Sequence, residues 1–561
     1  MTTPNSCTFL SPRSFKPRLA LIALLSLSMG GPACAAVNGS DYFLPGNLVV
    51  SRVVYDNYAG NVEVGQQLPP NCVIPNCVTA TNDGSYPSIW NNSLVDGSFG
   101  ITAKIILDQL TPDGSLVNSL EVPNSSQRGV PPTKDQMVSS FPSKSELALN
   151  LSTDGRYLTF MGYLAPVDAL DASNSNTPGV VDPTNPVPLE NYRVVAQVDQ
   201  HGKFHFTKTN AYSGNNGRAA ILNNTSPANV LYTAGNAGNG GNPQPDGIII
   251  GAGAQILTPE VKALVAQEPD VPTPVGSFNI TQLGDAADKI GKDTNFRGLT
   301  IFDNVLYYTK GSGGNGVNTV YFVDTSGFDA YGNPFACPNG TGLPSSSASL
   351  PTSPLPYNPA NLQTKGLTPN NMCILKGFPT ALKSKTSFPF GLWFADAYTV
   401  YVADEGNGDT TYSSTTNTYT KASAQKTAGL QKWVSDGNTW HLAYTLQSGL
   451  ALGIPYSVAG YPTGNNSATG LPWAPATDGL RNVAGRVNGD GTVTIWAITS
   501  TVSGNGDQGA DPNKLVMITD NLSATTGPAP VGESFAAVRT AGFGEVLRGV
   551  SLAPGTGVTQ P

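Results

Sequence analysis

Two short segments at opposite ends of the chain, residues 547–552 (LRGVSL) and 48–55 (LVVSRVVY), decide the fold. The C-terminal segment has the apolar character of a buried strand, but no further strand-like run follows it. The N-terminal segment is followed by two more strand-like runs, at 101–111 and 116–122. We therefore expect both ends of the chain to share one sheet, which closes a ring and removes exposed sheet edges.

A repeated pattern fills the chain between these ends. Each copy has a small or aromatic residue, often Arg-Gly, then an alternating apolar strand, a tight turn and a second strand rich in Tyr, Val and Thr. Turns such as Asp154-Gly155, Asp303-Asn304 and Asp490-Gly491 join antiparallel strands tightly. The copies occupy 145–163, 217–235, 296–310, 390–404 and 480–499. With the shared unit, they predict an all-β fold, a β-propeller of six blades.

The spacing of the copies predicts long insertions. Successive copies begin 67 to 94 residues apart, which exceeds the roughly 40 to 50 residues of compact blade repeats. We expect the insertions at about 171–188, 328–369 and 407–426, within a single propeller domain over 37–561. A seventh blade is the alternative if 258–290 hides another unit. A two-domain β-sandwich is the structural runner-up, but it does not explain the complementary ends.

Short strings within the copies carry a family resemblance. Residues 400–404 (VYVAD) and 548–550 (RGV) resemble the inner strands of secreted bacterial β-propellers of the NHL, lactonase and streptogramin-lyase kind. The resemblance covers patches between 145 and 555. It implies the propeller architecture only, so no catalytic residue of these families is transferred to this chain.

Residues 1–36 have the features of a signal peptide. A positive flank at 13–18 precedes an apolar run at 19–29, and small residues follow at 33–35. The run is shorter than the roughly 20 residues of a transmembrane helix. Lipid attachment at Cys34 is the alternative, but the expected aliphatic residue before it is missing. We predict a secreted or periplasmic protein without a transmembrane segment.

The amino-acid composition of the chain limits the kinds of molecule that it can bind. Charged residues make up 12% of the chain, about half of the usual ~25%. The net charge is -8 and no long basic run is present, so nucleic acid is excluded as a partner because its binding requires neutralised phosphates. We expect a monomer that meets an extracellular small molecule, an anionic ligand or a glycan.

Four cysteines remain after the predicted cleavage: Cys72, Cys77, Cys337 and Cys373. In an oxidising compartment an even number favours disulfides. Each of the pairs Cys72 with Cys77 and Cys337 with Cys373 brackets one insertion, which makes this the favoured connectivity. A zinc site is disfavoured by the wide second spacing and by the presence of only three histidines.

Four arginines occupy similar positions in their copies, at the start of an inner strand: Arg218, Arg297, Arg481 and Arg548. In a propeller, equivalent positions face the same end of the central channel. The guanidinium groups would then bind a carboxylate, sulfate or phosphate at the channel mouth through bidentate hydrogen bonds. In the alternative interpretation, each arginine pairs with a neighbouring blade and locks the ring.

An acidic turn is the best candidate for a metal. Asp404, Glu405 and Asp409 lie in 403–409 (ADEGNGD), directly after a strand. Oxygen-rich loops bind Ca²⁺, which takes about six to eight oxygen ligands. Asp-Gly and Asn-Gly pairs are also ordinary turn chemistry. Calcium is therefore a hypothesis beside a purely structural role.

The sequence contains few residues and motifs that are typical of catalysis. A nucleophilic triad usually needs a histidine base, and only His201, His205 and His441 are available. No Gly-x-Ser-x-Gly, HExxH or phosphate-loop motif is present in the sequence. Exposed aromatic residues able to stack on sugars are expected in the loops, at Tyr412, Tyr419 and Trp473.

The sequence leaves two functions open. The leading hypothesis is an exported binding or scaffold protein with a ligand site at one mouth of the channel. The alternative is an extracellular hydrolase or lyase that acts on a polysaccharide, lactone or ester, with or without calcium. An enzyme needs convergent acid and base groups beside the arginines, whereas a binding protein does not.

Overall fold

The computed structural model describes residues 41–555, except for 56–60, 62, 69–76, 80–99, 132–135, 141–144, 171, 181–188, 226, 237–252, 260–272, 287–291, 312–314, 331, 333, 357–369, 383–385, 468 and 505–510. The described residues belong to one compact unit, Asp41–Pro561. The predicted signal peptide and Cys72 lie outside them. No described helix has the length and apolar character needed to cross a membrane.

Six sheets of four or five strands form the body of the protein. The innermost strand of each sheet packs beside the innermost strand of the next, and the sixth returns to the first. The predicted β-propeller with six blades is confirmed. The segment 258–290 supplies the outermost strand of the third blade, Pro274–Gly276, and no seventh sheet of this size is found in the described part of the chain.

In every blade the strands lie side by side outward from the channel axis. Blade 1 contains, beginning with the innermost strand, Glu545–Leu552, Leu48–Val54, Thr102–Leu110 and Leu116–Glu121, and Ser139–Ser140 adds to its third strand. Blade 2 contains Asn150–Leu151, Tyr157–Tyr163, Arg193–Asp199 and Phe204–Thr209. Blade 3 contains Gly217–Asn223, Val230–Gly235, Ala254–Leu257 and Pro274–Gly276.

The second half of the ring follows the same plan. Blade 4 contains Gly298–Phe302, Val305–Lys310, Thr319–Val323 and Met372–Leu375, with the short parallel strand Thr341–Gly342 at its edge. Blade 5 contains Pro389–Asp396, Thr399–Asp404, Gly429–Ser435 and Trp440–Leu446. Blade 6 contains Ala476–Val487, Thr492–Val502, Lys514–Asn521 and Ala536–Thr540.

The insertions carry short elements of their own. The segment 407–426 contains the hairpin of Tyr412–Ser413 with Thr418–Tyr419 and the single helical turn Thr420–Ser423. A further two-stranded sheet joins Gln67–Leu68 to Val78–Thr79. The described 3-10 turns are Ile280–Leu283, Lys292–Thr294 and Pro338–Gly340.

Blade 1 is built from both ends of the chain. Leu48–Val54 pairs antiparallel with Glu545–Leu552 on its inner side and with Thr102–Leu110 on its outer side. Val50 lies directly opposite Val550. The expectation that the two ends share a sheet is confirmed, and this sheet closes the ring.

A charged network reinforces this closure. Arg52 donates to the Asp108 carboxylate through Nε at 2.7 Å and pairs with Glu545 through Nη1 at 2.5 Å. Arg539, on the outermost strand of blade 6, reaches the same Asp108 Oδ2 at 2.8 Å. Asp108 is fully buried. The network thus joins three strands of blade 1 to the neighbouring blade.

Small residues at the start of inner strands let neighbouring blades approach closely. A Cβ at Gly298 would lie 2.5 Å from the carbonyl oxygen of Phe390, and one at Gly391 would lie 2.6 Å from that of Arg481. Gly549 is equally tight, because its Cβ would lie 2.2 Å from the carbonyl oxygen of Leu147. The recurring small residue of the sequence pattern therefore has a packing cause.

The second predicted disulfide is not formed. Cys337 and Cys373 are both free, buried thiols. Burial, followed by the hydrogen bond with Cys337, raises the pKa of the Cys373 thiol. Because the thiolate is the reactive form, this environment disfavours oxidation. The Cys72–Cys77 pair stays a prediction, since Cys72 lies outside the described residues.

A buried lysine joins blades 5 and 6. Lys432 Nζ lies 2.8 Å from Asp520 Oδ2, and both side chains are fully buried. The Tyr444 and Tyr401 hydroxyls donate to the same carboxylate. Burial and then the hydrogen bond with Asp520 raise the pKa of the nearby Glu533 carboxyl to about 7. Two carboxyl groups thus share one ammonium group, which favours a proton on Glu533.

We expect Asp108→Asn to lower the free energy of unfolding by about 2–3 kcal/mol, because it leaves two arginines without their shared carboxylate. Hydrogen bonds from Arg52 and Ser119 outweigh burial and lower the pKa of Asp108. The wild-type protein should therefore lose this stabilisation in acid, as the pH falls below the ordinary value of about 4 and through the lowered pKa. Urea denaturation measures both effects. Asp113→Asn, an exposed change in the adjoining turn, is the control, and equal losses in both variants would contradict the network's role.

Glu533→Gln tests the shared proton. A raised pKa means that the folded protein binds more protons than the unfolded chain between about pH 4.5 and pH 7. Wild-type stability should therefore fall as the pH rises through this window, and the variant should show a flatter profile. Chemical denaturation between about pH 5 and pH 8 measures the slopes. The exposed Glu190→Gln serves as the control, and an unchanged slope in Glu533→Gln would refute the assignment.

Candidate functional site

One position recurs in all six blades and forms a ring around the channel axis. This position directly precedes the residue that contacts the neighbouring blade. The contacting residues include Gly298, which lies against Phe390, and Gly391, which lies against Arg481. Asn482 likewise donates to the Arg548 carbonyl at 2.6 Å. All six residues are buried. We call them the channel ring: Glu146, Arg218, Arg297, Phe390, Arg481 and Arg548.

Arg218 and Arg297 bind neutral acceptors in other blades. Arg218 Nη1 donates to the Phe296 carbonyl at 2.6 Å and also to Asn295 Oδ1, both just before the inner strand of blade 4. Arg297, in front of blade 4, reaches past blade 3 and donates to Ser145 Oγ beside blade 2. These two side chains therefore reach from one blade to another.

Arg481 and Arg548 have partners of a different kind. Arg481 Nε lies 3.2 Å from Glu405 Oε2, and both side chains are almost fully buried. This ion pair joins blade 6 to blade 5. Arg548 Nη2 donates to the Tyr55 hydroxyl at 2.7 Å, which ties the C-terminal strand to the end of the N-terminal strand. The Arg481–Glu405 pair has the geometry of the blade lock that the sequence offered as an alternative, and so does the bond from Arg218 to the Phe296 carbonyl. The Arg548–Tyr55 contact lies within blade 1.

Two members of the ring were not predicted from the sequence. Glu146 accepts hydrogen bonds from Ser139 Oγ at 3.0 Å, from the Ser140 amide at 3.2 Å and from the Tyr163 hydroxyl. Phe390 lies beneath Arg481, whose guanidinium carbon is 5.9 Å from the ring centroid. The copies at 145–163 and 390–404 contain these two residues at the position that an arginine occupies in the other copies. A comparison of the copies by position, and not by residue type, would have found them.

Two arginines in adjacent blades of the ring repel each other. Burial, followed by repulsion from Arg297, lowers the pKa of Arg218 well below its usual value. Burial also lowers the pKa of Arg297, against attraction from Glu405. Within the described residues neither Arg218 nor Arg297 forms an ion pair, and the Nε atom of each is buried without a hydrogen-bond partner. This side of the ring is suited to a negatively charged group.

The three residues predicted to bind calcium contact different partners. Asp404 accepts from the backbone amides of Phe388 at 2.8 Å and Gly406 at 3.0 Å, and burial raises its pKa to about 6. Glu405 pairs with Arg481. Asp409 accepts from the Thr411 amide. Over the described ranges, no group of three or more His, Cys, Asp or Glu side chains is placed to hold a metal ion.

The histidines and loop aromatics lie away from the ring. His201 and His441 are exposed beside Asp41 and Asp436, and His205 is on the outermost strand of blade 2. The expectation of exposed aromatics is wrong for two residues. Tyr419 packs into a small core cluster and is 0% exposed, and Trp473 joins the main core at 7%.

No known protein family matches the chain, and no curated protein matches it. Among solved structures, apo AztD from Citrobacter koseri shares 10% identity over 81% of this chain and 96% of that one, with a TM-score of 0.27. A second structure of Citrobacter koseri AztD shares 8% identity over 81% and 97%, with a TM-score of 0.24. Likeness at this level carries no argument about function.

Fold and site together define a six-bladed β-propeller with a buried, arginine-rich ring in its channel. Arg297 acts electrostatically on Arg218, and Arg481 acts on Arg297. The gathering of all four arginines at one ligand site stays a prediction. The predicted metal residues do not converge on one point.

Proposed function

We propose that this protein is an exported binding protein whose ligand carries negative charge and is held at the channel ring. One observation carries the proposal: Arg218 and Arg297 are buried, carry no ion pair with described residues and each leave one Nε without a partner. A buried cation without a counter-charge is unfavourable. A bound carboxylate, sulfate or phosphate would supply both the charge and the acceptor.

A binding role is favoured over catalysis because the acidic groups in the ring and beside it are already engaged. Glu146 is held by two serines and Tyr163, and Glu405 is paired with Arg481. General acid-base catalysis needs a group within hydrogen-bond reach of the substrate and able to exchange a proton. The histidines, which usually take that role, lie outside the channel.

The proposal includes export. Residues 1–36 carry the flank, apolar run and small residues of a signal peptide. An exported protein would meet anions and acidic glycans outside the cytoplasm, in the periplasm or in the medium.

The test is thermal unfolding of the mature chain with acetate, sulfate, phosphate, an acidic oligosaccharide, calcium and EDTA. We expect at least one anion to raise Tm in a saturable manner, because a ligand that binds only the folded state stabilises it. Arg297→Gln should lose this response. Arg156→Gln, which changes an exposed arginine on blade 2, should keep it.

Two results would overturn the proposal. A saturable response of equal size in wild type and Arg297→Gln would place the anion elsewhere. No response to any anion, with a rise produced by calcium and reversed by EDTA, would favour a metal-dependent protein instead. Isothermal titration of the wild-type chain provides the same decision if Arg297→Gln does not fold.

A further inference from the structure

The members of the channel ring have different partners. Arg481 pairs with the Glu405 carboxylate, and Arg548 donates to the neutral Tyr55 hydroxyl. Among the described residues, Arg218 and Arg297 donate to neutral acceptors and form no ion pair. They are adjacent ring members, and each has a buried Nε atom without a hydrogen-bond partner.

Arg218 and Arg297 also repel each other. They occupy equivalent positions in adjacent blades, and the charge of Arg297 acts directly on Arg218. Two buried like charges are unfavourable unless an opposite charge lies between them. Glu146 and Glu405 attract Arg218, and Glu405 attracts Arg297, but both carboxylates also bind other groups.

The burial of both arginines limits which ligands can reach them. Arg218 is 4% exposed and Arg297 is 8% exposed, while the neighbouring Phe296 and Phe390 are fully buried. A sugar ring or a polyanion requires a larger binding surface that is accessible to solvent. A halide ion or a single carboxylate needs only the two Nε donors and the charge around them.

We propose that the Arg218–Arg297 half of the ring binds one small anion, a halide or a compact monocarboxylate, which bridges the two guanidinium groups. The inference rests on the proposed function and narrows its ligand class. Arg481 and Arg548 are then positioning residues that hold blades 5, 6 and 1 around the site. Because the site is enclosed, the anion exchanges only when the channel opens transiently.

The experiment is a size series on the full mature chain. Tm is measured against increasing chloride, bromide, formate and acetate, with gluconate as a bulky carboxylate, at constant total ionic strength. We expect chloride, bromide, formate and acetate to give saturable rises of about 2 °C or more, and gluconate to give none. Arg218→Gln and Arg297→Gln should each lose the rise, whereas the exposed Arg156→Gln should retain it.

The outcomes separate this inference from the broader proposal. An equal, saturable rise with gluconate or an acidic oligosaccharide would refute the small-anion site and leave the binding function intact. No saturable response to any anion would refute both. Chloride-35 NMR of the wild-type protein supplies a readout that needs no variants. Broadening of the chloride signal that acetate reverses, and gluconate does not, supports the site. The absence of broadening, together with no change of Tm across the size series, overturns it.

Discussion

The whole structure depends on one strand pairing. Leu48–Val54 lies between Glu545–Leu552 and Thr102–Leu110, so the last inner strand of the chain completes the first sheet. Without this pairing, blade 1 would lack its inner strand and blades 6 and 2 would lose the neighbour between them. The Arg52 network adds directional ion pairs to the same place. Both the backbone pairing of the strands and the side-chain ion pairs therefore close the ring.

Closure also creates the site. Each inner strand brings its own ring residue to the axis, and six such residues meet only when the circle is complete. A small residue follows four of the six ring positions, and at Gly298 and Gly391 it brings adjacent backbones into contact. The buried arginines are thus a consequence of packing. Among the described residues, Arg481 forms an ion pair with Glu405, whereas Arg218 and Arg297 form none.

Architecture was predictable because it follows local rules. Alternating apolar strands, tight turns and a recurring small residue are visible in each copy, and the orphan strand at 547–552 required a partner sheet. The arginine positions followed from the same register. Glu146 and Phe390 were missed because the pattern was followed through a shared residue type, whereas equivalent ring positions share only a backbone location.

The remaining features depend on contacts between residues far apart in sequence. Glu405 was interpreted as a metal ligand because it follows Asp404 in an acidic turn, yet its partner Arg481 lies in the next blade. Tyr419 and Trp473 lie in polar sequence, but the fold covers them. Cys337 and Cys373 bracket an insertion, and sequence spacing alone does not give the geometry of a bridge.

Complementation by a missing strand tests ring closure most directly. A chain that ends at Gly544 lacks the inner strand of blade 1, and a synthetic peptide of residues 545–555 (EVLRGVSLAPG) supplies it. Our account predicts that the shortened chain unfolds at a clearly lower temperature, that this peptide restores Tm in a saturable manner, and that a scrambled peptide does not. An unchanged Tm in the shortened chain would contradict the account.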